Sequence, residues 1–304
     1  MKFELTILGS SSATPIYNRN PTAQLLNINE KFYLIDCGEG TQQQLLRFNC
    51  KFQKIDHIFI SHLHGDHYLG LVGLISSMNL NGREKALKLF GPPELEEIID
   101  LQLKHSLTTL RFNLEFKRTS AYQFKTLFEN QDVLVETIPL NHRIACTGFK
   151  FTLKKRLPKI RMDKVQALQI PPEQRQLIKK GFSFTDSSGT VHQPEDLTLP
   201  AEEERSYAYC SDTICDWSYL DQIKSMNLLY HESTFMHDML ARAEETYHTT
   251  ALQAGEIAKR AEVKQLLIGH FSARYRDLDP LLEEARSVFP NTDLAIEGQK
   301  FEII

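Results

Sequence analysis

Residues 61–67 read Ser61-His62-Leu63-His64-Gly65-Asp66-His67, and no other stretch of this 304-residue chain restricts its fold and chemistry as much. The run closes an apolar, β-prone segment, Ile55–Ser61, and places three imidazoles and a carboxylate within six positions. A strand ending in a tight glycine-containing turn can aim His62 and His64 at one point and Asp66 and His67 at a neighbouring one. Neutral imidazole and carboxylate together suit Zn²⁺, and the same donors accept Mn²⁺ or Fe²⁺. The same residue types also occur as ordinary polar loop residues, so the rest of the chain has to decide.

Around that run, short apolar segments alternate with amphipathic ones. Strands are expected at Phe3–Gly9, Lys31–Cys37, Val133–Asn141, Arg205–Cys210, Leu228–His231 and Val263–Gly269, with a final one over Asp293–Ile303. Helices are expected at Gly40–Phe48, Pro93–Ser106, Thr249–Ala261 and Asp279–Phe289. Hydrophobic residues make up 41% of the chain, enough for a large α/β core. His142, Asp212 and His270 each follow an expected buried strand, a position that by itself is more often structural. No apolar run approaches the length of a membrane span, and the first residues lack the pattern of a secretory signal. The five cysteines, Cys37, Cys50, Cys146, Cys210 and Cys215, include no C-x-x-C pair. That argues against a zinc ribbon or a disulfide framework and leads us to expect a cytoplasmic protein without a membrane partner.

Net charge is −4, yet Lys150–Gly181 holds ten basic residues against Asp163 and Glu173. Ser183–Pro200 then reads as hairpin and loop. These features predict one domain over 1–304 with a basic arm inserted at about 150–200. By composition alone the arm is equally a solvated basic face without a partner.

The H-x-H-x-D-H run resembles the signature of the metallo-β-lactamase superfamily. That resemblance implies an αββα four-layer sandwich with a two-metal site at one edge of the paired sheets. It implies that His62, His64 and His142 hold one metal, Asp66, His67 and His270 the other, and that Asp212 bridges them. Two cations about 3.5–4 Å apart then polarise a phosphoryl oxygen together. Asp36 is expected to orient a ligand histidine.

Within that superfamily, Leu34-Ile35-Asp36-Cys37-Gly38-Glu39-Gly40-Thr41-Gln42-Gln43-Gln44-Leu45-Leu46-Arg47 is similar to the first motif of the ribonuclease Z family. Ala13-Thr14-Pro15 with Arg19-Asn20 resembles its early loop. Gly269-His270-Phe271-Ser272-Ala273-Arg274-Tyr275 resembles its last metal motif, and the basic insertion lies where that family carries a flexible arm. His231-Glu232-Ser233-Thr234 and His248-Thr249-Thr250 are similar to two further loops. The sequence departs from the pattern at Ile16-Tyr17-Asn18, where a lysine is usual, and at Pro171–Gly181, which lacks a Gly-Pro core. It departs again at Cys210-Ser211, where a glycine often precedes the aspartate.

The resemblance implies a zinc-dependent endoribonuclease with two Zn²⁺ per subunit, acting on precursor tRNA and working as a cytoplasmic homodimer. Asp66 and His248 would be the catalytic pair, His248 protonating the leaving ribose oxygen. Glu232 and His231 would support them beside the scissile phosphate. Ser272, Arg274, Tyr275, Arg19 and Asn20 would contact substrate near the cut, and Lys154, Lys155, Lys179 and Lys180 would grip it from the arm. A small-molecule phosphodiesterase on the same site has no need of a basic arm. A non-catalytic RNA-binding subunit would show gaps among the seven ligands, and the sequence has none.

Overall fold

The structure, a computed structural model, describes residues 1–16 and 18–304, so Tyr17 of the altered early loop lies outside the described residues. The chain begins with β1 (Phe3–Gly9), β2 (Ala23–Ile28), β3 (Lys31–Ile35), β4 (Ile55–Phe59), β5 (Leu87–Gly91) and β6 (Leu114–Arg118). Then come β7 (Thr126–Glu129), β8 (Val133–Leu140), β9 (Cys146–Leu153) and a small hairpin of β10 (Phe184–Thr185) and β11 (Val191–His192). The chain ends through β12 (Arg205–Cys210), β13 (Leu228–Glu232), β14 (Gln265–Gly269), β15 (Thr292–Leu294) and β16 (Lys300–Glu302). One sheet runs β16-β1-β2-β3-β4-β5-β6 and the other β15-β14-β13-β12-β9-β8-β7.

The sheets face each other across an aromatic-rich core that includes Phe3, Leu5, Phe59, Phe149, Phe151, Tyr207, Tyr209 and Tyr230. The outer face of the first sheet is covered by helices Thr41–Arg47, Leu71–Leu80 and Glu94–His105. Helices Ala251–Arg260 and Asp279–Val288 cover the second. The result is a helix–sheet–sheet–helix sandwich, the expected architecture. Buried strands that read as near-continuous apolar runs, such as β13 and β14, stand out in the sequence for that reason, whereas β2, β5 and β9, interrupted by Gln24, Asn27, Lys88 and Lys150, are not among those expected.

Asp293–Ile303 is not one strand. It divides into β15 and β16, which join opposite sheets, and the crossing between them turns at Gly298 with φ of +84°. That dihedral suits glycine, and the half-buried Glu297 carboxylate beside it accepts from the Ser10 and Asn20 amides, so the period-2 pattern breaks there. The basic segment also begins inside the body. Lys150 lies in β9 and pairs with Glu136 at 3.6 Å, while Lys154 is tied to Glu129 and the Asn130 carbonyl. Past Leu153 the arm folds on a small core of its own, Val165, Ile170, Ile178, Phe184 and Leu197.

Candidate metal centre and active site

Parallel strands deliver the key side chains, because loops at their carboxyl ends gather along one edge of the sandwich. Asp36 follows β3, His62 follows β4, Asp212 follows β12, Glu232 ends β13 and His270 follows β14. Asp36 and His270 both take left-handed backbone, φ 55° and 60°, a costly conformation for residues with a Cβ that turns each side chain sharply off its strand. Gly38 lets this loop lie flat on the turn that carries Asp66, since a Cβ there would sit 2.3 Å from the Asp66 carbonyl oxygen.

The seven candidate ligands converge. His62, His64, His142 and Asp212 each offer one donor atom within 4.8 Å of the others, and so do Asp66, His67 and His270. His64 presents Nδ1, 3.1 Å from His62 Nε2 and 3.2 Å from His142 Nε2. Asp212 Oδ1 stands 3.4 Å from His67 Nε2 and 3.2 Å from His270 Nε2, while its Oδ2 stands 3.6 Å from His62 Nε2. One carboxylate therefore turns one oxygen to each group. Ligands at about 2.1 Å around a tetrahedral cation stand about 3.4 Å from one another, so these spacings suit a shared metal ion. His67 Nε2 sharpens the point, being buried and without a hydrogen-bond partner. It faces Asp212 Oδ1 at 3.4 Å and Asp66 Oδ2 at 3.5 Å, a position that a proton or a shared cation stabilises. Asp212, His248 and His270 meet the same distance criterion. His248 Nδ1, however, is committed to Glu232 at 2.8 Å.

The shell behind the ligands is closely bonded. Asp36 accepts four hydrogen bonds: from Ser61 N–H (2.7 Å), Ser61 Oγ–H (2.8 Å), His67 Nδ1–H (2.7 Å) and Tyr209 O–H (2.6 Å). The expected orienting role of Asp36 falls on His67. Tyr209 reaches it from the opposite sheet, so the position of His67 depends on how the sheets are packed. His142 Nδ1 bonds the Tyr247 carbonyl at 2.9 Å. Asp66 Oδ2 accepts the Ala13 N–H at 2.7 Å.

Electrostatics follow from this burial. Burial alone would raise the Asp66 and Asp212 carboxyls, but the surrounding imidazoles outweigh it and hold both well below the usual carboxylate range. Burial pushes His62 well down. For His67 burial acts the same way, yet Asp212, Asp66 and Asp36 lift it well above the usual value. Burial also opposes charge on His248, but the adjoining Glu232 carboxylate wins and raises it to about 9.

Not every expected residue reaches the site. His231 is buried with Nε2 on the Tyr219 hydroxyl at 2.8 Å and Nδ1 on the Glu232 carbonyl at 2.7 Å. Neighbours on a strand face opposite ways, so Glu232 points into the site and His231 away from the phosphate position expected for it. Arg19 bonds the Tyr275 carbonyl at 2.6 Å and so braces the loop after His270 instead of reaching out. The Asn20 N–H is held by Glu297 at 3.1 Å. Arg274 is exposed over the Phe235 ring, and the Tyr275 hydroxyl accepts the Met236 N–H at 3.0 Å, close beside the site. Lys155 and Lys180 are exposed, Lys179 partly so, and Lys154 is engaged with the body as described. Tyr209, Thr234 and Glu297 had no sequence signal of their own, although Thr234 lies in the loop already singled out.

Two solved structures share this architecture over nearly their whole length. The short form of human tRNase Z is 24% identical with a TM-score of 0.70, covering 99% of each chain. The metallo-β-lactamase fold protein YhfI from Bacillus subtilis is 18% identical with a TM-score of 0.70, covering 99% of this chain and 100% of its own. Fold and donor set together define a protein of the metallo-β-lactamase fold with a cluster suited to divalent metal, and its relatives make it a metal-dependent hydrolase. Ribonuclease Z of Bacteroides fragilis is 47% identical over 297 residues, 98% of either protein. Ribonuclease Z of Cytophaga hutchinsonii is 48% identical over 309 residues, covering 100% of this chain and 97% of that one. The chain belongs to the ribonuclease Z family of endoribonucleases, and residues 3–277 also match the family described as Anti-Pycsar protein Apyc1.

Proposed function

We propose that this protein is a zinc-dependent endoribonuclease that removes the 3′ trailer of precursor tRNA at a two-metal site, leaving a 3′-hydroxyl. The observation that carries the reading is the division of Asp212 between two complete donor sets, His62, His64 and His142 on one side and Asp66, His67 and His270 on the other. Bound divalent cations supply Lewis acidity toward the phosphoryl oxygens and toward water. The residues do the rest. Asp66, fixed by the Ala13 amide, orients the attacking water. His248 carries its proton at neutral pH because Glu232 stabilises the imidazolium, and it gives that proton to the leaving ribose 3′ oxygen. The P–O3′ bond breaks, so the phosphate stays with the trailer. Ser272, Arg274 and Tyr275 contact flanking phosphates, and Lys155, Lys179 and Lys180 hold folded RNA by shape and backbone charge. The reading includes a cytoplasmic homodimer, and no described helix is long and apolar enough to cross a membrane.

The test is to incubate purified protein with a trailer-bearing precursor tRNA, with and without chelator, and to map the new end. A single cut beside the acceptor stem, ending in a 3′-hydroxyl and abolished by chelator, is expected. Hydrolysis of bis(p-nitrophenyl) phosphate without cleavage of the RNA would instead favour the small-molecule phosphodiesterase.

A further inference from the structure

A metal-binding histidine needs its second ring nitrogen fixed, since that bond sets both the tautomer and the direction of the lone pair. For His67 the partner is a carboxylate, Asp36, and for His142 a backbone carbonyl, that of Tyr247. His270 differs. Its Nδ1 meets a hydroxyl, Thr234 Oγ1, at 2.9 Å. That hydroxyl donates its one hydrogen to Glu232 Oε2 at 2.7 Å, so toward His270 it offers only a lone pair. His270 must then carry its hydrogen on Nδ1 and turn the Nε2 lone pair to Asp212 and Asp66, 3.2 and 3.3 Å away. The other oxygen of the same carboxylate, Glu232 Oε1, accepts from His248 Nδ1 at 2.8 Å. Thr234, Glu232 and His270 are all buried, so water does not substitute for these bonds.

We propose that Thr234 is a positioning residue that couples the metal centre to the proton donor: one buried carboxylate steers His248 directly and His270 through the Thr234 hydroxyl. This rests on the two-metal endonuclease reading. It goes further by making metal retention and leaving-group protonation depend on a side chain that touches neither metal nor substrate.

Thr234→Val keeps the shape of the side chain and removes the hydroxyl. It leaves the His270 Nδ1–H without an acceptor. Thr234→Ser keeps the hydroxyl and drops only a methyl. Metal-free protein of each variant is titrated with Co²⁺ and with Zn²⁺ against a competing chelator. Turnover of loaded protein is then compared on precursor tRNA and on bis(p-nitrophenyl) phosphate, whose leaving group needs no proton. Thr234→Val is expected to weaken binding of one metal equivalent about tenfold or more, the usual range for loss of an orienting partner. It should also lower RNA cleavage further than aryl-ester hydrolysis, and Thr234→Ser should restore both. Metal affinity within twofold of wild type in Thr234→Val would overturn the proposal. If the valine variant does not fold, nitrogen-15 histidine spectra of loaded wild-type protein decide. A protonated Nδ1 on His270 is required, and an unprotonated one refutes the relay. A wild-type protein that takes up no divalent metal would sink the two-metal reading itself, a separate result.

Discussion

Replacing Glu232 by glutamine tests the proton-transfer half of the reading most directly. Glu232 is fully buried and its Oε1 lies 2.8 Å from His248 Nδ1. Burial alone would depress the His248 pKa, and the Glu232 carboxylate foremost, with Asp212 and Asp66 behind it, raises it from 6.5 to about 9. The sign is that of a group whose folded pKa lies above its ordinary value. The acid form is complete below about 6.5 and is lost as pH rises through about 9. In wild type at pH 7.5 roughly 97% of His248 is protonated, whereas a histidine returned to 6.5 is protonated to only about 9%. Glu232→Gln removes the main counterweight to burial, so it should move the descending limb of the pH–rate profile well below 9 and lower RNA turnover at pH 7.5, by about tenfold for a histidine at 6.5. The assay is single-turnover cleavage of a trailer-bearing precursor tRNA from pH 6 to 10, beside the p-nitrophenyl diester over the same range. The diester should show no such limb, because p-nitrophenolate departs without a proton. An RNA profile whose limb stays near 9 in the variant, or equal losses on both substrates, would refute the assignment of His248 as acid.

Three further outcomes are expected. Tyr209→Phe removes one of the four donors to Asp36 while keeping the stack on Tyr230, and should speed chelator-driven metal loss several-fold without changing the fold seen by circular dichroism. His57, packed among Tyr33, Phe90 and Phe128, is pushed down to about 4 by burial and then by Lys88. Unfolded protein thus binds more protons between about 4 and 6.5, and stability should fall by up to about 3 kcal/mol as pH drops through that window. Urea titrations should show that slope flattened in His57→Phe, and an unchanged slope would count against the assignment. Replacing Lys155, Lys179 and Lys180 with alanine should raise KM for precursor tRNA and flatten its dependence on salt, while leaving the aryl diester unaffected. A salt dependence identical to wild type would remove the arm from substrate binding.

The sequence by itself pointed to a metal-dependent hydrolase. His62 to His67 announced a metal site because three imidazoles and a carboxylate so close together have few other uses, and local order along the chain is enough to see that. His142, Asp212 and His270 came into view through the family's ligand order, each one or two residues past a buried strand. Most of the long buried strands and helices were readable because burial imposes a period on neighbouring residues. What only the tertiary structure decided lies across the gap between the sheets. Tyr209 looks like any aromatic residue on an inward-facing strand, and only sheet-on-sheet packing brings its hydroxyl to Asp36. Family resemblance made His231 and Glu232 look like partners in the site, yet the strand period turns one inward and the other onto Tyr219. Asp293–Ile303 read as one strand because local pattern does not record which sheet a residue joins. Thr234 was visible only as part of a loop. Its hydroxyl matters because folding sets Glu232, His248 and His270 around it, and a hydrogen bond within a buried cluster depends on separations in space that sequence spacing does not encode.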